Sequence, residues 1–173
     1  MSKNKKRRLF EFDKMTRDIR RNKEYQKLKK YVHHGGTNTL YQHSISVAYI
    51  VFVLCLIFKI NKKIMYSAVI AALLHDFYDD VDLGNDTPYE RLYTHPHMAV
   101  VNAKKYFELN ETQENIIESH MFPMSKTLPK YKEAVLVSLM DKSAATYEMA
   151  HFKLALKLSM LLIFLYNVIT IEK

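Results

Sequence analysis

Apolar residues recur along this chain at helical spacing, and few residues that break helices interrupt them. The stretch from Phe10 to Val32 sets apolar residues among charges, which predicts a helix with one exposed face. Gly35 and Gly36 then favour a turn. The next stretch, from a capping residue within 37–39 to about Lys59, is apolar almost all round, which predicts a central buried helix.

The middle of the chain combines one further apolar helix with an acidic stretch. Asn61 is predicted to cap a helix that reaches about His75, and its alanines allow close packing. The acidic stretch 79–93 contains Gly84 and Pro88 and predicts a loop of about 15 residues, which is long enough to suggest a function.

Capping signals divide the second half of the chain into helices. Thr94 is predicted to cap a helix that carries Pro96 in its first turn and ends near Leu109. Asn110, with glutamine three residues later, resembles a capping box and predicts a helix to His120. A helix over about 130–151 follows, and then an apolar tail.

Composition supports a helical fold. With 3 glycines and 4 prolines in 173 residues, a turn-rich sandwich or barrel is disfavoured. We therefore expect an all-α protein, a compact bundle of about six or seven helices around one core. The predicted parts are a basic N-terminal arm or helix over 1–32, the main domain over 33–151 and an apolar C-terminal helix over 152–173, packed on that domain.

Positive charge is concentrated at the N-terminus. Residues 1–30 contain 13 Lys or Arg and 4 Asp or Glu, a balance of +9, whereas the whole chain carries +8. The arm is therefore predicted to contact an anionic polymer or membrane surface, the alternative being an ordinary solvated helix face.

The cysteine count and the apolar tail bear on location. Because Cys55 is the single cysteine, a reducing compartment is favoured, and we predict a cytoplasmic protein. The continuous apolar part of the tail is about 14 residues, shorter than the roughly 20 that span a bilayer. Membrane association through this tail remains the alternative to packing on the domain.

Four ionisable residues lie at apolar positions of predicted helices: His43, His75, Asp76 and Asp141. Taken singly, each is more typical of a hydrogen-bonded structural residue. Together they would place imidazoles and carboxylates in one bundle core, where an unpaired carboxylate is costly and a divalent ion would stabilise it.

The flanks of these residues carry a family resemblance. The segments 43–48 (HSISVA), 71–76 (AALLHD) and 139–142 (LMDK) resemble the H…HD…D signature of the HD superfamily of metal-dependent phosphohydrolases, over roughly residues 33–148. The resemblance implies an HD-domain bundle, a divalent metal and phosphohydrolase activity, with His75 and Asp76 at the catalytic centre and His43 and Asp141 as further ligands.

Branches of this family with two metals use two additional histidines. His95, before Pro96, and His120 are similar to that six-ligand pattern, and Asp76 would then bridge the ions. His97 is an alternative to His95. Mixed nitrogen and oxygen ligands suit one or two ions of Mn, Fe, Co, Ni or Zn.

The resemblance implies a hydrolase that cleaves a phosphoester, mono- or diester, of a nucleotide or related small metabolite. A metal-bound hydroxide would attack phosphorus, so no protein nucleophile is needed. Basic residues near the ligands are candidate phosphate contacts: Lys142, Arg91, Lys126 and His34. The alternatives are a non-catalytic nucleotide-sensing or nucleic-acid-binding HD protein, and a hydrolase tethered to a membrane by its tail.

Overall fold

The fold is a bundle of helices with one very short hairpin. The structure, a computed structural model, describes residues 3–33, 38–78 and 80–171. Its helices are α1 (Lys3–Arg21), α2 (Lys23–Gln26), α3 (Leu40–Ile57), α4 (Lys62–Leu74), α5 (Asp80–Leu83), α6 (Pro88–Tyr106), α7 (Glu111–Ser119) and α8 (Lys132–Ile171). A 3-10 turn spans Lys27–Lys30, and strands β1 (Val32–His33) and β2 (Asn38–Thr39) pair antiparallel. Six helices among the described residues have nine residues or more, so the all-α prediction is confirmed.

Helices α3 and α4 form the centre of the core, as their apolar patterns predict. Thr39 closes a capping box at the start of α3, and Asn61 caps α4. All residues from 67 to 74 are buried, because the small side chains of α4 let neighbouring helices approach on every side. Helix α3 is long and apolar enough to cross a membrane, but 44% of it is buried inside the body, as in the core helix of a bundle.

The N-terminal segment packs on the body through its second half. The ring of Phe12 meets Tyr49 of α3 edge-to-face, with centroids 5.2 Å apart, and Ile19 is buried about two turns later. The predicted single helix over 10–32 is interrupted at Asn22, whose side chain caps α2. Residues 3–7 are exposed, so the part of α1 that could act as a basic arm is short.

Helix α6 begins earlier than the sequence suggests. The predicted loop over 79–93 contains α5 and the first part of α6, which starts at Pro88 behind a capping box formed by Thr87 and Glu90. Thr94 is therefore inside the helix, where its hydroxyl donates to Asp86 Oδ2 at 2.6 Å instead of capping. The predicted cap at Thr94 and the first-turn position of Pro96 are wrong, and His95 lies mid-helix.

The apolar tail continues α8. No glycine or proline follows Pro129, so nothing local ends the helix near 151, and α8 runs to Ile171. The prediction of a separate tail helix packed on the domain is wrong for the side chains that the structure describes. These apolar side chains are exposed: Leu154, Leu156, Leu158, Met160, Leu162 and Ile163.

Candidate metal centre

Five helices bring the six predicted ligands into one buried cluster. The first turn of α3, the end of α4, the middle of α6, the end of α7 and the middle of α8 each supply side chains. None of these residues is more than 7% exposed: His43, His75, Asp76, His95, His120 and Asp141. Thus every metal ligand predicted from the sequence lies in a single constellation.

One half of the cluster surrounds Asp141. Its Oδ1 atom lies 3.0 Å from His43 Nε2 and 3.4 Å from His75 Nε2. Asp76 Oδ2 lies 3.3 Å from the same His75 nitrogen and 4.0 Å from His43 Nε2. Ligand atoms that bind one ion at about 2.0–2.2 Å are themselves about 3–4 Å apart, so this half has suitable spacing for one divalent ion.

The other half of the cluster faces the second oxygen of Asp76. Oδ1 lies 3.5 Å from His95 Nε2 and 3.7 Å from His120 Nε2. The two histidine nitrogens are 3.0 Å apart. The Asp76 carboxylate therefore has one oxygen directed at each half, which is the arrangement a bridging ligand requires.

Backbone carbonyls fix which nitrogen each imidazole presents. His75 Nδ1 donates to Ala72 O at 2.8 Å, and His120 Nδ1 donates to Ile117 O at 2.7 Å. His95 Nδ1 donates to Arg91 O in the same way. Because a carbonyl only accepts, Nδ1 carries the proton in each ring and a neutral ring turns the Nε2 lone pair inward.

Because of this orientation, nitrogen lone pairs face one another in a buried site. A cation between them would remove the repulsion, so these contacts show whether the donor set fits one. His75 Nε2 is buried without a hydrogen-bond partner among the described residues. The lone pairs of His95 and His120 face each other at 3.0 Å. Buried acceptors in such contact are unfavourable unless a positive charge lies between them, so the donor set fits divalent metal ions.

The electrostatics keep the ligands in forms that bind metal. Burial, together with the charge of neighbouring His75, lowers the pKa of His120 to about 3, and burial also lowers the pKa of His95. Burial opposes ionisation of Asp76 and Asp141, but the adjacent imidazoles outweigh it and hold both pKa values below the ordinary range. Burial also opposes protonation of His75, but Asp76 and Asp141 outweigh it and raise the pKa of His75 well above its ordinary value. The site thus combines ionised carboxylates with neutral rings at His95 and His120.

His43, like His75, differs from His95 and His120 in its protonation. Burial lowers its pKa, but hydrogen bonds to Asp141 and to Glu148 overcome this and raise the pKa to about 9. A metal ion that binds His43 Nε2 must therefore displace a proton.

Two buried residues at the site were not predicted from the sequence. Glu148 Oε2 accepts from His43 Nδ1 at 3.1 Å, and His33 stacks on the His43 ring. Glu148 follows Asp141 by seven residues, two helical turns, so helical spacing alone gave a signal for it. His33 had no comparable signal, because its position depends on the hairpin.

A cavity of about 410 Å³ opens onto the cluster. Asp76, His95, His120 and Asp141 contribute to its lining. Much of the remaining lining is apolar: Val32, Leu92, Met121, Met124, Ala145 and Met149. The cavity has the size and mixed polarity of a small-molecule site.

Only some of the predicted substrate contacts lie at the cavity. Arg91 and Lys142 line the cavity, whereas Lys126 lies in a separate depression with Glu118 and is not a cavity residue. His34 lies outside the described residues. His97, the alternative ligand, is exposed and pairs with Glu118, so His95 is the histidine that reaches the cluster.

Lys142 lines the cavity and is also held by hydrogen bonds to the protein. Its Nζ donates to His120 O at 2.6 Å and to Ser138 Oγ at 2.7 Å, while Ser138 Oγ donates to the same carbonyl at 2.6 Å. These contacts indicate a role for Lys142 in fixing the backbone of a ligand, and its role as a phosphate contact stays a prediction.

Comparison with known proteins agrees with this geometry. A family model for the HD domain matches residues 40–146, more than half of the chain. The chain belongs to the HD domain family. HD domains form a superfamily of metal-dependent phosphohydrolases. The match contains four helices of the cluster and the first part of α8, with all six ligands, but neither His33 nor Glu148. No curated protein and no solved structure matches the chain.

Replacing Lys142 tests its hold on His120. We expect Lys142→Met to weaken metal affinity by roughly tenfold, because residues that orient ligands typically contribute 10–100-fold. Competition titration with Mn²⁺ measures the change, and Lys126→Met is the matched control, since Lys126 is exposed outside the cavity. Equal affinities of the two variants would contradict this role.

Proposed function

We propose that this HD-domain protein is a metal-dependent phosphohydrolase that cleaves a phosphoester of a nucleotide or related small metabolite. The observation that carries the proposal is the buried constellation of four imidazoles and two carboxylates at the cavity. Its lone pairs converge on two points, on either side of the Asp76 carboxylate.

The two halves of the cluster would hold two ions. His43, His75, Asp76 and Asp141 would bind the first ion, and Asp76, His95 and His120 would bind the second. Divalent ions bound there would polarise a phosphoryl oxygen and lower the pKa of water. Two bound divalent ions would carry more positive charge than the two carboxylate ligands neutralise. The loaded site would therefore attract an anionic substrate.

The other cavity residues support a small substrate with an apolar part. Leu92, Met121 and Met124 offer an apolar surface for a base or similar group, and Tyr78 adds an aromatic ring. Arg91 contributes a guanidinium to the lining, and its Nε donates to Asp86 O at 3.1 Å, which holds the side chain in place. A volume of about 410 Å³ suits a mononucleotide-sized ligand better than a nucleic acid.

The test combines metal binding with turnover. The purified protein, supplied with Mn²⁺, should bind metal and hydrolyse at least one of three probe classes: an aryl phosphate, an aryl phosphodiester or a panel of nucleotides. His120→Ala should lose one equivalent of metal and most of the turnover. His97→Ala should lose neither, since His97 is exposed outside the cluster.

The outcomes separate the functional classes. Metal binding with turnover on one probe establishes the activity and identifies the ester type. A folded protein that binds no metal and turns over none of the probes would rule out the hydrolase and leave a non-catalytic nucleotide-binding role. In that case nucleotide affinity, measured by calorimetry, becomes the deciding quantity.

A further inference from the structure

His33 is a buried histidine at the cavity that the family match does not include. It is 6% exposed, lines the cavity, and belongs to strand β1, before the matched residues 40–146. The pairing of Val32 with Thr39, and the bond from Leu40 N to Tyr31 O at 2.9 Å, tie β1 to the start of α3. The hairpin therefore fixes His33 beside the helix that carries His43.

The stacking of the two rings disfavours a shared ion, although the ligand atoms of His33, His43 and Glu148 lie within 4.8 Å of one another. The rings of His33 and His43 are stacked, with centroids 3.8 Å apart and planes at 25°. An ion bound to His43 lies near the plane of that ring, because the nitrogen lone pair is in the plane. The same ion would lie well outside the plane of His33, so His33 is unsuited to be a further ligand of the ion at His43.

Two neighbouring carboxylates determine which hydrogen bonds the ring nitrogens of His33 can make. Its Nδ1 lies 3.5 Å from Glu148 Oε2, and its Nε2 lies 3.5 Å from Asp76 Oδ2. Ionised carboxylates only accept hydrogen bonds, so both neighbours favour N–H on the nitrogen that faces them. His33 thereby places a ring nitrogen suited to donation at the cavity wall, next to the carboxylate between the proposed ions.

We propose that His33 is a substrate-binding residue, whose Nε2–H donates to a phosphoryl oxygen at the metal centre. This inference rests on the proposed function. Glu148 is its positioning residue, because one carboxylate oxygen faces Nδ1 of both His33 and His43. Of the other candidates for this contact, Lys142 already donates to His120 O and Ser138 Oγ, and Arg91 Nε donates to Asp86 O.

The assignment is tested with inorganic phosphate on the Mn²⁺-loaded full chain. Calorimetry first measures Mn²⁺ stoichiometry and affinity, and then phosphate affinity at saturating Mn²⁺. His33→Ala should bind Mn²⁺ like the wild type and bind phosphate about tenfold or more weakly, the usual effect of losing a hydrogen bond to a charged group. His33→Asn, which retains a donor, should recover part of the affinity, and His97→Ala should match the wild type.

The two measurements distinguish failure of this assignment from failure of the proposed function. If His33→Ala loses Mn²⁺, His33 is a ligand and the assignment is wrong. Unchanged phosphate affinity in a folded His33→Ala protein also overturns it. A wild type that binds no Mn²⁺ overturns the proposed function, and the assignment with it. If His33→Ala does not fold, by circular dichroism, His33→Phe takes its place, because it keeps an aromatic ring and removes the donor. Retained Mn²⁺ with weaker phosphate binding then supports the assignment, and unchanged phosphate affinity or a loss of Mn²⁺ overturns it.

Discussion

Asp76→Asn is expected to remove both metal ions and to reduce phosphohydrolase turnover by at least about a thousandfold. Metal ions stabilise the transition state by several kcal/mol, and about 4 kcal/mol corresponds to that factor. Asp76 is the residue with an oxygen facing each half of the cluster: Oδ2 lies 3.3 Å from His75 Nε2, and Oδ1 lies 3.5 Å from His95 Nε2. The side-chain amide has nearly the same shape, so the loss reflects charge rather than packing.

Asp141→Asn provides the matched comparison. Asp141 Oδ1 lies within 3.4 Å of the His43 and His75 nitrogens, in the first half of the cluster, so this variant should keep the ion of the second half. Metal analysis should therefore give no equivalent for Asp76→Asn and one for Asp141→Asn. Two equivalents in Asp76→Asn would show that Asp76 does not bridge the halves.

Local signals explain which parts of the fold were predictable. The caps at Thr39, Asn61 and Asn110 are short sequence patterns, and the structure confirms each of them. The start of α6 was missed because two capping patterns compete there. The capping box formed by Thr87 and Glu90 satisfies more backbone groups than a cap at Thr94 would. The hydroxyl of Thr94 instead donates to Asp86 Oδ2.

The C-terminal tail shows that the pattern of apolar residues does not determine where a helix packs. An apolar helix has the same sequence whether it packs on the domain or faces outwards, because packing depends on the surface available elsewhere. In the structure α8 passes Glu148, its last residue in contact with the cluster, and continues away with exposed leucines such as Leu154 and Leu158. Burial of a segment is a tertiary property, and no local rule assigns it.

The candidate site likewise contains residues that local sequence predicts and residues that depend on tertiary structure. His43, His75, Asp76 and Asp141 were visible because each is an ionisable residue in an apolar helical setting, where burial without a partner is costly. His95 and His120 were proposed only from the resemblance to HD proteins with two metals. His33 and the backbone contact of Lys142 were not visible, because they depend on the hairpin register and on the contact between α7 and α8. Residues that orient or supplement ligands need tertiary geometry.

Metal removal is expected to lower the thermal stability of the protein substantially. Binding at a thousand times the dissociation constant stabilises the folded state by about 4 kcal/mol, and for a domain of this size each kcal/mol shifts Tm by about 2–4 °C. Chelation should therefore lower Tm by roughly 8–16 °C. The structural reason is the buried contact of His95 Nε2 with His120 Nε2 at 3.0 Å, which only a positive charge makes favourable.

Melting curves followed by circular dichroism measure this effect, with wild type compared before chelation, after chelation and after Mn²⁺ is restored. Restored Mn²⁺ should recover the original Tm, which separates metal loss from irreversible damage. Asp76→Asn should melt at the same temperature with and without Mn²⁺, whereas His97→Ala should follow the wild type, because its ring is exposed and pairs with Glu118. If chelation leaves the wild-type Tm unchanged while metal analysis shows the ions gone, the folded cluster does not depend on them. The inward lone pairs must then be satisfied by protons, as the pKa of about 9 at His43 already allows for that ring.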